Sequence, residues 1–176
     1  SSTGEKSVKL SWKKVTGADS YAIYRYDSTS KKWQRIKTVK AVSFTDSGLA
    51  RAKGYSYKVK AVKKSGGKEY ISASYSKAVE AVTKPAKASC TAKSAGSGSI
   101  EVSWKAVGGA SGYEIYSSSN GSDYVKSAKV GGSQKSAIVS GFEPYSLRMV
   151  KVRAYKTVNG KTSYGAFSQA VMVIVK

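Results

Sequence analysis

The chain is written twice. Ser7-Val8-Lys9-Leu10-Ser11-Trp12-Lys13 returns as Ser99-Ile100-Glu101-Val102-Ser103-Trp104-Lys105, 92 positions further on. At the same spacing Gly17-Ala18, Tyr21, Ile23 and Tyr24 match Gly109-Ala110, Tyr113, Ile115 and Tyr116. Val59-Lys60-Ala61 then matches Val152-Arg153-Ala154, and Ser76, Ala78 and Val79 match Ser168, Ala170 and Val171. A repeat of this length makes each copy a folding unit with its own core. The 176 residues therefore divide into units 1–84 and 85–176. The joint is Thr83-Lys84-Pro85-Ala86-Lys87, where proline ends strand pairing and keeps the chain extended.

Within each copy the apolar period is two. Val8, Leu10 and Trp12 alternate with Lys9 and Ser11, and Tyr55, Tyr57, Val59 and Ala61 alternate with Ser56, Lys58 and Lys60. That is the pattern of a strand with one face buried. Gly17, Gly48, Gly66-Gly67, Gly108-Gly109, Asn120-Gly121 and Asn159-Gly160 punctuate these runs. Asn-Gly is a hairpin signal because a type I′ turn needs positive φ at both central residues. No stretch sustains a helical period. Many short strands in units of this size predict an all-β architecture of two tandem sandwiches.

The chemistry inventory narrows function. There is no histidine, so nothing that needs an imidazole base, nucleophile or metal ligand is available. The single cysteine, Cys90, forms no internal disulfide and no thiolate cage. It reads as a small core residue on the first strand of the second unit, around Ser89 to Ala92. The ten carboxylates are scattered, several near turns, and no facing pair recurs in both copies, so no catalytic residues are assigned. Clustered oxygen ligands of the Asp-x-Asp type are absent, and neither metal nor cofactor is expected. The longest apolar run, Ala170 to Val175, is far too short to cross a bilayer, so no membrane insertion is expected.

Charge is the other marked property. Thirty-one Lys and Arg against ten Asp and Glu give +21, a field that favours polyanions at low salt. Both units share it: 19 basic and 6 acidic side chains in 1–84, 12 and 4 in 85–176. The cations are interleaved along strands, without a dedicated basic tail. One consequence is simply a solvated surface that blunts sheet edges.

The joint pattern resembles the fibronectin type III module, in particular its lysine- and tyrosine-rich tandem forms from bacterial secreted and cell-surface proteins. Trp12 and Trp104 match the tryptophan of the second strand, and Tyr21-Ala22-Ile23 and Tyr113-Glu114-Ile115 match the start of the third. Leu49, Tyr55, Tyr57, Val59 and Ala61 fit the sixth-strand pattern, with Arg51 in place of proline. Phe142, Pro144, Val150, Val152 and Ala154 fit it in the second copy, with Arg148 where a tyrosine belongs. The resemblance implies immunoglobulin-like sandwiches with both tryptophans in the core, and a tyrosine corner made by Tyr55. It places Tyr21, Tyr57 and Tyr113 inward too. In the first unit only Ser1 to Lys6 precede the tryptophan strand, so its first strand is expected to be short or missing, leaving an exposed edge able to recruit another chain.

By the same resemblance the pair would be a non-catalytic, extracellular spacer and adhesion element, attached to other domains of a larger bacterial protein. Tyr24 and Tyr116 fall on the outward face of the third strand, beside Lys58 and Lys60 and beside Lys151 and Arg153, with Trp33 and Tyr124 on the next hairpin. These residues could stack a sugar ring or base while the cations meet carboxylate or phosphate. Equally, lysine stems could just cover the rings. The expected partner is an anionic polysaccharide or cell-wall polymer, host glycans included. A carbohydrate-recognition accessory role beside a secreted enzyme is the second expectation. Non-specific nucleic-acid binding is the third, disfavoured because no nucleic-acid motif or basic stripe is present.

Overall fold

A computed structural model describes all 176 residues. No helix is long and apolar enough to cross a membrane. The chain forms two compact units, Ser1–Ala50 with Gly54–Thr83, and Arg51–Lys53 with Lys84–Lys176. In the first, β1 (Ser2–Thr3), β2 (Ser7–Ser11) and β5 (Ser43–Ser47) make one antiparallel sheet in the order β1-β2-β5. The second sheet runs β4 (Lys32–Val39), β3 (Ser20–Asp27), β6 (Gly54–Ser65), with β7 (Lys68–Ile71) and β8 (Val79–Val82) both pairing β6. The second unit repeats this. One sheet is β13 (Ser136–Ser140), β10 (Ser99–Trp104) and β9 (Cys90–Gly96). The other is β12 (Val125–Gly131), β11 (Gly112–Ser118), β14 (Leu147–Val158), with β15 (Lys161–Tyr164) and β16 (Val171–Ile174) on β14. The all-β, two-sandwich architecture is the one the alternation predicts.

Alternation becomes burial directly. Ile100, Val102 and Trp104 of β10 are buried while Ser99, Glu101 and Ser103 alternate with them at intermediate exposure. Val150, Val152 and Ala154 of β14 are fully buried between the more exposed Lys151 and Arg153. Each buried Val or Ile of this kind stabilises by about 1.5–3 kcal/mol. The duplication extends to the backbone. Ile23 faces Val59 and Tyr24 faces Lys58; Ile115 faces Val152 and Tyr116 faces Lys151. Both copies also carry a bulge at the same place, between Ile23 and Tyr24 and between Ile115 and Tyr116. A buried phenol needs a partner, and both copies supply the same one. Tyr21 Oη accepts from the Val15 amide at 2.8 Å, and Tyr113 Oη from the Val107 amide at 2.7 Å. Tyr55 Oη accepts from the Ala50 amide at 2.9 Å, which is a tyrosine corner. The second unit lacks this device: Arg148 lies over the Phe142 ring instead, 5.2 Å from its centroid.

The copies differ where local sequence differs. Asn159 (φ 48°) and Gly160 (φ 75°) form the tight turn between β14 and β15. Asn120-Gly121 does not: only Gly121 has positive φ, and Asn120 Oδ1 accepts from the Ser122 and Asp123 amides in a longer loop. The first strand of the second unit is longer than the expected Ser89–Ala92, because Cys90 to Gly96 pair along nearly all of β10. Cys90 itself is only half-buried against the core, with Sγ 3.2 Å from Ser168 Oγ.

Trp12 departs from the expected core position. Trp104 is 6% exposed and its Nε1 donates to the Gln134 carbonyl at 3.1 Å. Trp12 is half-buried, and its Nε1 is shielded from solvent without a partner. β9 pairs β10 as far as Trp104, and β1 pairs β2 at Val8 and Lys9, beside Leu10 to Trp12. A cavity of about 200 Å³ lies there, lined by Leu10, Trp12, Tyr57, Val59 and Val79 among others.

The interiors also differ in polarity. Asp46 is 8% exposed, where a solvated turn carboxylate was the natural expectation. It accepts from Tyr57 Oη at 2.8 Å and from Arg25 Nη1 at 2.7 Å. Burial and then the bond to Asp46 push the Tyr57 phenol far above its ordinary range. Register assigns the matching positions in the second unit: Asp46 faces Val8 as Val139 faces Ile100, and Arg25 faces Tyr57 as Ser117 faces Val150. The Asp46, Tyr57 and Arg25 of one core are thus Val139, Val150 and Ser117 in the other.

Candidate functional site

The sheet containing β3 and β6 positions the candidate residues of the first unit. Because Tyr24 stands opposite Lys58, and Tyr26 opposite Trp33, side chains of three strands share one outer face. Lys58 Nζ lies 4.5 Å from the Trp33 ring centre and 5.2 Å from that of Tyr75. Lys60 Nζ sits 4.2 Å above Tyr75 and donates to the Ala73 carbonyl at 2.9 Å. Tyr24 meets Tyr75 edge-to-face at 5.0 Å, and Tyr26 meets Trp33 at 5.4 Å. The rings thus form a continuous platform with two ammonium groups on it, each such contact contributing about 0.5–1 kcal/mol when exposed.

The second unit builds the same face from different chemistry. Lys151 Nζ lies 3.5 Å from the Tyr124 centroid and 4.5 Å from that of Phe167. Arg153 is surrounded by Tyr116, Tyr164 and Phe167 at 5.2, 4.1 and 4.8 Å. It also pairs with Glu114, Nη2 to Oε2 at 2.7 Å and Nε to Oε2 at 3.0 Å. Lys126 Nζ approaches the other oxygen at 3.5 Å, and Tyr116 Oη donates to Oε2 at 3.3 Å. Glu114 is 2% exposed although it points away from the core. Burial alone would raise its carboxyl, but the hydrogen bond and charge of Arg153, then Lys126 and Tyr116, hold it below the ordinary 4.5.

A carboxyl depressed by folding stabilises the fold above its unfolded value and ceases to do so as pH falls through the folded one. The resistance of the second unit to urea is therefore expected to fall as pH drops below 4.5, and Glu114→Gln should remove that part of the slope. An unchanged slope in the variant would contradict this role for Glu114.

All eight residues singled out in the sequence, Tyr24, Trp33, Lys58, Lys60, Tyr116, Tyr124, Lys151 and Arg153, lie on these two faces in the contacts described. The cations rest on the rings, so stems cover part of each platform. Sequence reasoning missed Tyr75 and Phe167, which complete the face in each copy, and Glu114. The first two carry a signal: both immediately precede the matched serines Ser76 and Ser168. No group of three or more His, Cys, Asp or Glu is arranged to hold a metal ion.

Comparison with known proteins agrees with this layout. No protein-family profile matches the chain. A poly(3-hydroxybutyrate) depolymerase from Ralstonia pickettii is 41% identical over 93 residues, 53% of this chain. The aligned part is only 17% of the depolymerase. Among solved structures, a two-domain fibronectin type III segment of chicken tenascin matches over 99% of this chain and 95% of its own, with a TM-score of 0.56 at 16% identity. The FN1–FN3 domains of chicken CNTN1 match 98% of this chain and 61% of their own, at a TM-score of 0.48 and 19% identity. With its strand order, its tyrosine corner and its near-complete overlap with the tenascin pair, the chain has the fold of two tandem fibronectin type III modules.

Proposed function

We propose that the pair is a non-catalytic spacer and adhesion element of a larger secreted or surface protein, touching anionic glycans weakly and at several points. The observation that carries this reading is the recurrence of one aromatic and cationic outer face in both units, with Lys58, Lys60, Lys151 and Arg153 fixed on rings. Repetition of such modules in the larger protein would convert low affinity per site into useful avidity. The carboxylates support the non-catalytic part: Asp46 and Glu114 are occupied by internal cations, and Glu69 is tied to Arg35 at 3.1 Å. Sandwiches of this fold ordinarily offer no deep cleft for turnover.

A second reading, an accessory module beside a polymer-degrading enzyme, is favoured by the 41% identity to part of the depolymerase. A pull-down separates the two. Adhesion predicts retention on anionic cell-wall polymer at low salt, fading as salt rises. The accessory reading predicts retention on poly(3-hydroxybutyrate) film that survives salt. Retention on neither, beyond that of a neutral sandwich domain, leaves a spacer alone. DNA retention with a steep salt slope follows from a net charge of +21 and distinguishes nothing.

A further inference from the structure

Strand register allows the two outer faces to be compared position by position. Lys58 and Lys151 are equivalent, opposite Tyr24 and Tyr116. Lys60 and Arg153 are equivalent too, and the residues opposite them are Ala22 and Glu114. At this point the faces diverge in charge. The second face contains its own counterion: Glu114 takes Arg153 at 2.7 Å and Lys126 at 3.5 Å. The first face has a methyl group there.

Neither Lys58 nor Lys60 has a carboxylate within ion-pair distance, and Glu80, opposite Ser56 on this face, takes the Ser56 hydroxyl at 2.6 Å. Lys60 has a carbonyl and a ring; Lys58 has two rings. A ring quadrupole attracts an ammonium but removes none of its net charge. Glu69 is committed to Arg35 and Lys64, at 3.1 and 3.5 Å. Two ammonium groups therefore converge on Tyr75 without an anion, among rings that stay partly open, with Tyr75 38% and Tyr26 40% exposed.

Resting on the adhesion reading above, we propose that the first unit carries the ligand site and that its ligand is a carboxylate-bearing glycan, the second face being closed by its own glutamate. The second unit indicates the chemistry, since the group that satisfies the equivalent cation is a carboxylate. In the first unit that carboxylate arrives from outside and bridges Lys58 and Lys60, while the apolar face of the sugar ring lies on Tyr75 and Tyr26. Compact, hydrated ammonium groups at both positions suit an exchangeable anion; the guanidinium of Arg153, in contrast, forks onto Glu114 through Nε and Nη2.

The test is binding of the full chain to polygalacturonate at low salt, with single-stranded DNA as the competing class. Lys58→Gln with Lys60→Gln should weaken polygalacturonate binding about tenfold, and Lys151→Gln less than about twofold. Ala22→Glu with Lys60→Arg, which copies the second face into the first, should weaken it as the lysine pair does. Because Ala22 is fully buried, that variant is compared only if its circular dichroism matches the parent. Glu114→Gln should strengthen binding by opening the second face. Equal losses from the two faces would overturn the assignment to the first unit. Binding to DNA at equal or greater affinity, lost in the same variants, would overturn the glycan carboxylate in favour of phosphate. If the unmodified chain binds no anionic polymer at all, the adhesion reading itself falls.

Discussion

Trp104→Ala should cost the second unit about 4 kcal/mol, and Trp12→Ala should cost the first about half as much. Trp104 is 6% exposed, packs on Tyr113 with centroids 5.2 Å apart, and donates from Nε1 to the Gln134 carbonyl. Truncation leaves a large void and an unpaired carbonyl. Trp12 is half-buried, borders a cavity of about 200 Å³ and makes no Nε1 hydrogen bond, so less is lost. For a unit of this size 4 kcal/mol lowers the midpoint by about 20 °C. Calorimetry, with hydrogen exchange assigning each transition to its unit, measures both. Equal costs for the two indoles would contradict the structural difference.

Asp46→Val should destabilise the first unit by about 3 kcal/mol, and adding Tyr57→Phe should recover part of it. The single change strands a phenol that is 1% exposed and removes the partner of Arg25. Leaving one member of a buried set without its mate costs more than removing both. The double variant deletes donor and acceptor together, and the Arg25 side chain, 35% exposed, can turn to water. Hydrogen-exchange protection should fall in β2, β3 and β6 and stay constant in the second unit. A double variant less stable than the single would show that the hydroxyl matters for packing and not for its bond.

Much of this was legible in the sequence because it depends on period and spacing. The repeat fixed the number of units, and alternation sorted Val150, Val152 and Ala154 inward from Lys151 and Arg153. Pairing of Tyr24 with Lys58 followed from the fold the family resemblance implies. What escaped depends on groups that only register brings together. Asp46 meets Arg25, 21 positions away, and Tyr57, 11 away, through the packing of separate strands. On an alternating strand such a carboxylate reads as solvated. Glu114 reads as solvated for the same reason, between inward Tyr113 and Ile115, until Arg153, Lys126 and Tyr116 close over it. Tyr75 and Phe167 lie just ahead of a final strand, outside any alternation. Trp12 obeys the pattern fully, yet it is only half-buried and packs at the margin of the core.

Tandem units with the same strand pattern risk trading pieces while they fold, since a strand of one copy satisfies the pattern of the other. The unlike interiors make that trade unfavourable. If β5 took the place of β13, Asp46 would be shut among Val150 and Ile100 with Ser117 where its guanidinium should stand. The reverse exchange would leave Arg25 and the Tyr57 hydroxyl facing a valine. One aspartate thus gives each copy a chemical signature by which its own strands are sorted from its twin's.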